Sequence, residues 1–207
     1  MPLLFIKDID ADTRLGLWKI ADELHANEVC PQTVCEDLKR KCGRRQQETM
    51  AVYALLNAML GRRGVTIGHN EAGKPMLDDR FISVSHTIGY ACVILSKTKN
   101  VAVDIEYRNE RVLRIVDKFL TIHEKETINS TSLTELLLCW CAKETVYKYF
   151  SEQNLTFDEM QIELNADRLK QNTEKNEKYF YCLNLREGAK KKIVYMYNDD
   201  FVLTYTL

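Results

Sequence analysis

The spacing of apolar residues changes several times along the chain, and each change marks a new element. Leu3 to Ile6 is a short apolar run fit for a strand. Thr13 to Leu24 then carries Leu15, Leu17, Trp18, Ile20, Ala21 and Leu24 at mostly helical spacing, which predicts a helix after that strand. From Arg45 to Leu60 the set Met50, Val52, Tyr53, Leu55, Leu56, Met59 and Leu60 predicts a longer helix closed by Gly61. The period then shortens. Phe81 to Ser85, Tyr90 to Leu95 and Val101 to Glu106 are rich in Val, Ile and aromatics and read as consecutive strands. Residues 111–119, 123–129 and 133–150 return to helical patterning, with Asn129-Ser130-Thr131-Ser132 as a capping loop before the last of them. The polar stretch Asp167 to Lys178 reads as a loop. Beyond it, Tyr179 to Leu185, Lys192 to Tyr197 and Phe201 to Thr206 predict an antiparallel meander turning at Glu187-Gly188 and at Asn198-Asp199-Asp200.

This order of elements implies an α+β protein with two halves of similar size meeting near residue 100, which we divide as residues 1–102 and 103–207. No repeat is visible in the letters themselves. A chain of 207 residues can bury a sizeable core. Its 29 basic and 30 acidic residues leave a net charge of -1, so a nucleic-acid or membrane partner held by bulk electrostatics is not expected. Any phosphate recognition must be local. No apolar run approaches the roughly 20 residues of a membrane span, and Met1 to Asp8 does not have the pattern of a secretory leader. A soluble, cytoplasmic protein is expected. The seven cysteines lack a Cys-x-x-Cys pair, which argues against a disulfide framework. Cys30, Cys35 and Cys42 with His25 lack the tight paired spacing usual in structural zinc sites.

Four short segments carry candidate chemistry. In a strand, Asp104 and Glu106 share one face with Cα atoms roughly 6.6 Å apart, so both carboxylates could reach one divalent cation; the alternative is a merely acidic outer face. On the helix from Leu133 to Phe150, Trp140, Glu144 and Lys148 form one stripe with Lys143 beside it. This stripe is either a surface pair worth roughly 0.2–0.5 kcal/mol or, if it faces the acidic strand, a third carboxylate with a cation near it. Ser85-His86-Thr87 ends a strand ahead of Gly89, where hydroxyls and an imidazole could meet phosphate oxygens or simply close a turn. Neighbouring strand residues point to opposite faces, so Ser85 and His86 are no protease pair. Gly73-Lys74-Pro75 is a turn bearing a cation. Lys39, Arg40, Lys41, Arg44 and Arg45 form a basic cluster that is either an anion clamp or a solvated face. Lys190-Lys191-Lys192 reads as a solvated approach to a hairpin.

In order, Gly73-Lys74-Pro75, Ser83-Val84-Ser85-His86-Thr87, Val103-Asp104-Ile105-Glu106, Phe119-Leu120 through Glu124, and Trp140-x-x-Lys143-Glu144 followed by Lys148 resemble the 4′-phosphopantetheinyl transferases. The resemblance covers about residues 45–150 and is to the longer, surfactin-synthetase type, a pseudo-dimer in one chain. It implies Mg²⁺-dependent transfer of phosphopantetheine from coenzyme A to a serine of an acyl or peptidyl carrier protein, releasing adenosine 3′,5′-bisphosphate. It also implies metal ligation by Asp104, Glu106 and Glu144, with Mn²⁺ an alternative to Mg²⁺. Glu144 would help deprotonate the serine, and Lys148 would stabilise the departing phosphate. Lys74, Ser85, His86, Lys143 and Lys148 would bind coenzyme A, with Arg45 or a neighbour helping at its nucleotide end and Glu124 in support. The first half would thus hold coenzyme A elements and the second the metal and catalytic elements of a monomer. Two positions depart from the family pattern. Tyr53 stands where many relatives have arginine, and Ala102 where a glycine is common. A non-catalytic module binding coenzyme A or a carrier protein is the competing reading.

Overall fold

A computed structural model describes residues 2–20, 24–164 and 178–207. The chain divides into two compact units, Met1–Val101 and Ala102–Leu207, and each is taken by itself.

In the first unit, strands β1 (Leu3–Asp8) and β2 (Thr13–Lys19) form a hairpin. Two short helices follow, α1 (Ala26–Val29) and α2 (Gln32–Leu38), and then the long helix α3 (Gly43–Leu60). The two-residue strands β3 (Gly68–His69) and β4 (Pro75–Met76) pair with each other. Strands β5 (Phe81–Thr87) and β6 (Tyr90–Ser96) complete an antiparallel sheet of order β1-β2-β6-β5. Helix α3 packs on β2 and β6, burying Leu55, Leu56, Val93 and Ile82 in one core. It ends where Gly61 takes a left-handed φ of 64°, a conformation that is strained for residues with a Cβ.

The helix expected over Thr13 to Leu24 is instead strand β2 over its described first part. Its N–H and C=O groups pair with β1 on one side and β6 on the other. As a central strand it is buried on both faces from Leu15 to Trp18, which erases the alternation that would have marked it as a strand. Residues 21–23 of that expectation lie outside the described residues. Helices α1 and α2 are too short to leave a periodic signal. Gly16 is where β2 meets α3 most closely: a Cβ there would lie 2.7 Å from Leu55 Cδ1 and 2.7 Å from Met59 Sδ. Both side chains are themselves buried, so Gly16→Ala is expected to cost about 1–3 kcal/mol by overpacking. Urea unfolding measures this, and an unchanged midpoint would mean that helix and strand separate at no cost.

The second unit opens with β7 (Ala102–Tyr107), a 3-10 segment from Glu110 to Ile115, and helices α4 (Val116–Phe119) and α5 (Ile122–Thr127). Helix α6 (Leu133–Tyr149) is capped by the Ser132 side chain, which accepts from Glu135 N at 3.4 Å, in the loop expected to cap it. Strands β8 (Met160–Glu163), β9 (Lys178–Asn184), β10 (Ala189–Tyr197) and β11 (Phe201–Thr206) join β7 in an antiparallel sheet of order β7-β11-β10-β9-β8. Helix α6 lies across β7 and β11. Residues 165–177, which include most of the expected polar loop, lie outside the described residues. Lys190 to Lys192 belong to β10 rather than to a loose approach, with the Lys190 and Lys192 ammonium groups 4.5 Å and 4.4 Å from the ring centres of Tyr181 and Tyr179. Both units are α+β, each an antiparallel sheet packed with helices.

Candidate functional site

The first question the sequence left open is which way the Trp140, Glu144 and Lys148 stripe faces. It faces β7. The Trp140 indole Nε1–H donates to Glu106 Oε1 at 3.0 Å, and Lys148 Nζ donates to Asp104 Oδ1 at 2.7 Å and to Val103 O at 3.2 Å. The helix is fixed in this orientation by apolar packing along its opposite side, with Cys139, Ala142 and Val146 buried. A hydroxyl contact between Thr145 and Thr204 of β11 adds to it at 2.7 Å. Glu144 lies between Trp140 and Lys148 on the stripe. Burial foremost, together with the charges of Asp104 and Glu106 and against the opposing charge of Lys148, pushes its carboxyl up to about 7. Asp104 is itself buried, so charge repulsion within this group is only weakly screened by water.

Lys143, next to Glu144, points elsewhere. Its side chain is fully buried, and Nζ donates to Glu124 Oε2 at 2.7 Å, Phe119 O at 2.7 Å and Phe157 O at 2.9 Å. An ammonium has three protons, and here each has an acceptor, so a phosphate contact would require breaking one. Glu124 is equally buried. It closes a capping box with Thr121 and accepts from Ile162 N at 2.7 Å, which ties α5 to β8.

Among the described residues, no three His, Cys, Asp or Glu side chains stand gathered closely enough to hold a cation as they are. The donor set nonetheless fits one. Asp104, Glu106 and Glu144 offer only carboxylate oxygens, the ligands hard divalent cations take, and the Glu144 carboxyl is raised first by burial and then by the charges of Asp104 and Glu106, which such a cation would offset. Lys148 now supplies part of that relief through Asp104.

In the first unit, Lys74 sits on the turn between β3 and β4, where its backbone N–H bonds Asn70 Oδ1 at 2.9 Å and its Nζ donates to Asn100 Oδ1 at 2.6 Å. Ser85 is buried and His86 exposed at the end of β5. His86 Nδ1 lies 3.3 Å from Glu48 Oε2, and Glu48 Oε1 accepts from Arg44 Nε at 2.9 Å. The guanidinium tied to His86 is therefore Arg44. Arg45, the residue singled out in the sequence, is exposed on the adjacent face of α3. The four-residue spacing of Arg44 and Glu48 was the available signal. Tyr53 is buried, and its hydroxyl accepts from Ile67 N at 3.2 Å, so it holds the chain after α3. Ala102 is also fully buried, its methyl part of the packing.

A family model described as the 4′-phosphopantetheinyl transferase superfamily matches residues 100–206, just over half of the chain. No curated protein matches the chain. The match takes in both the acidic strand and helix α6. The family's reaction is transfer of phosphopantetheine from coenzyme A to a carrier protein, and the convergence of the Asp104 strand with the Glu144 helix falls within the matched segment. This chain belongs to the 4′-phosphopantetheinyl transferase superfamily.

Proposed function

We propose that the protein is an active transferase of the surfactin-synthetase type, a monomeric pseudo-dimer in one chain working in the cytoplasm on a serine of an acyl or peptidyl carrier protein. The observation that carries this reading is the meeting of helix α6 with β7, where Trp140 bonds Glu106 and Lys148 bonds Asp104 with Glu144 half-buried on the same stripe between them. A carboxylate on this stripe is of the type that serves as a general base. Asp104, Glu106 and Glu144 would hold Mg²⁺, or Mn²⁺ in its place, which would supply positive charge against the pyrophosphate. Glu144, directly or through water, takes the proton as the serine Oγ forms its bond to phosphorus. The bond from that phosphorus to the bridging oxygen breaks, and adenosine 3′,5′-bisphosphate leaves with the electron pair. Lys148 compensates charge on the departing phosphate.

Lys74, Ser85 and His86 hold coenzyme A phosphates in this reading. Arg44 joins them through Glu48 and His86, with Arg45 exposed nearby. Lys74→Ala removes a charged donor, a contact of the kind worth about 1.5–3 kcal/mol. It is expected to raise the KM for coenzyme A on the order of tenfold or more with kcat little changed. Unchanged affinity would take Lys74 out of the site. The reading as a whole is tested by chromatography of nucleotide products. Adenosine 3′,5′-bisphosphate should form only when enzyme, coenzyme A, Mg²⁺ and an apo carrier protein are all present. Release of that product without a carrier would point to hydrolysis instead.

A further inference from the structure

Among the described residues, the most deeply buried charged pair of the second unit is not in the stripe that faces β7. Lys143 and Glu124 pair at 2.7 Å with both side chains 0% exposed. A buried ion pair of this kind is weak support for stability as such, because removing two charges from water costs several kcal/mol per ion. What its neighbours do is more informative. The two carbonyls that Lys143 Nζ holds belong to Phe119 and Phe157. The rings of these same two residues flank Trp140, at 5.4 Å edge-on and 5.2 Å tilted. Trp140 in turn donates its indole N–H to Glu106 Oε1 at 3.0 Å. One ammonium therefore anchors both walls of the slot that aims the indole, and the indole aims Glu106. Glu124 holds that ammonium in place and fixes β8 and the start of α5 through its other contacts.

We propose that Lys143, with Glu124 as its buried counter-ion, is a positioning residue: through Phe119, Phe157 and Trp140 it sets the carboxylate of Glu106, and it makes no contact with a coenzyme A phosphate. The effect on transfer rests on the function proposed above; the effect on Trp140 does not. The sequence gives Lys143 to the helix, but only the fold shows that its side chain leaves the stripe and runs to the carbonyls of Phe119 and Phe157.

The test uses the full chain and compares wild type with Lys143→Met, Glu124→Gln, the double variant, and Lys125→Ala as an exposed control. The activity-independent readout is the indole N–H resonance of Trp140 in ¹⁵N-labelled protein, distinguished from that of Trp18 by Trp18→Phe. Circular dichroism identifies the temperatures at which each variant is folded. In the folded range, Lys143→Met and Glu124→Gln should each displace the Trp140 resonance, and Lys125→Ala should not. Both should lower kcat about tenfold or more with the KM for coenzyme A within about twofold. The double variant should lose no more than the worse single one, because the two residues act as a unit. An unmoved Trp140 resonance in both single variants overturns the proposal. So does a Lys143→Met protein whose KM for coenzyme A rises tenfold while its indole stays in place, because that is the behaviour of a phosphate ligand. If wild type transfers nothing, the functional reading fails and the indole resonance still decides the positioning role. If a single variant does not fold at any temperature, the double variant, which leaves neither charge unpaired, supplies the same comparison.

Discussion

Glu144→Ala is expected to lower carrier modification by a factor on the order of 10³, within the usual range for loss of a general base, and to leave the fold intact or more stable. The second half of this expectation makes it specific. Removing a buried carboxylate normally destabilises a protein when the group is well paired. Here burial and the charges of Asp104 and Glu106 raise the Glu144 carboxyl to about 7, so its ionised form is disfavoured in the folded chain. A folded-state value above the unfolded one means the folded chain binds the extra proton. The stability that Glu144 contributes is therefore present below its ordinary value of 4.5 and is lost as pH rises through about 7. Above that pH, alanine relieves the repulsion. Transfer kinetics and thermal unfolding of the same preparation separate the outcomes. A fully active Glu144→Ala protein would remove the assigned role, and an inactive one that is also unfolded would show that Glu144 is structural.

Asp104→Asn is expected to lower transfer on the order of 10²-fold or more, since a metal ligand can be worth several kcal/mol of charge stabilisation. It also has a consequence in the absence of substrate. Mg²⁺ binding to the three carboxylates should raise the melting temperature of wild type, and should do so more at about pH 8 than at about pH 5.5, because Glu144 must be ionised to bind. In Asp104→Asn the Mg²⁺ shift should vanish. Meanwhile the Glu144 carboxyl, followed by NMR, should fall below about 7, because one of the two charges that raise it is gone. Isosteric replacement leaves Lys148 partly exposed, its side chain at 28%, so the freed ammonium can turn to water and the fold should tolerate the change. A Mg²⁺ shift that survives in Asp104→Asn would place the ion elsewhere.

Much of the second unit could be read from the letters because its periods are clean. Asp104 and Glu106 fall two apart in a strand, and Trp140, Glu144 and Lys148 four apart in a helix, so each element fixed its own face. What spacing cannot say is whether two faces meet. That required the Trp140 and Lys148 hydrogen bonds to β7. Lys143 shows the limit most plainly: one residue off the stripe is enough to send its side chain to Phe119 and Phe157, and no local pattern identifies those carbonyls as its partners. In the first unit β2 was misread because a central strand buried on both faces has the composition of a buried helix. Strand β8 was missed because four residues are too few to show a period. Glu48 escaped notice because a buried carboxylate amid basic residues looks, in sequence, like an ordinary member of a surface charge pattern.

The measurement that bears most directly on the central claim is the intact mass of an apo carrier protein after incubation with this protein, coenzyme A and Mg²⁺, alongside a chelated control and the Glu144→Ala protein. The account predicts that the carrier gains one phosphopantetheine group with wild type and Mg²⁺, and gains essentially none in the two controls. A panel of apo carriers left unmodified by wild-type protein that binds coenzyme A measurably would contradict it and leave a binding module in its place.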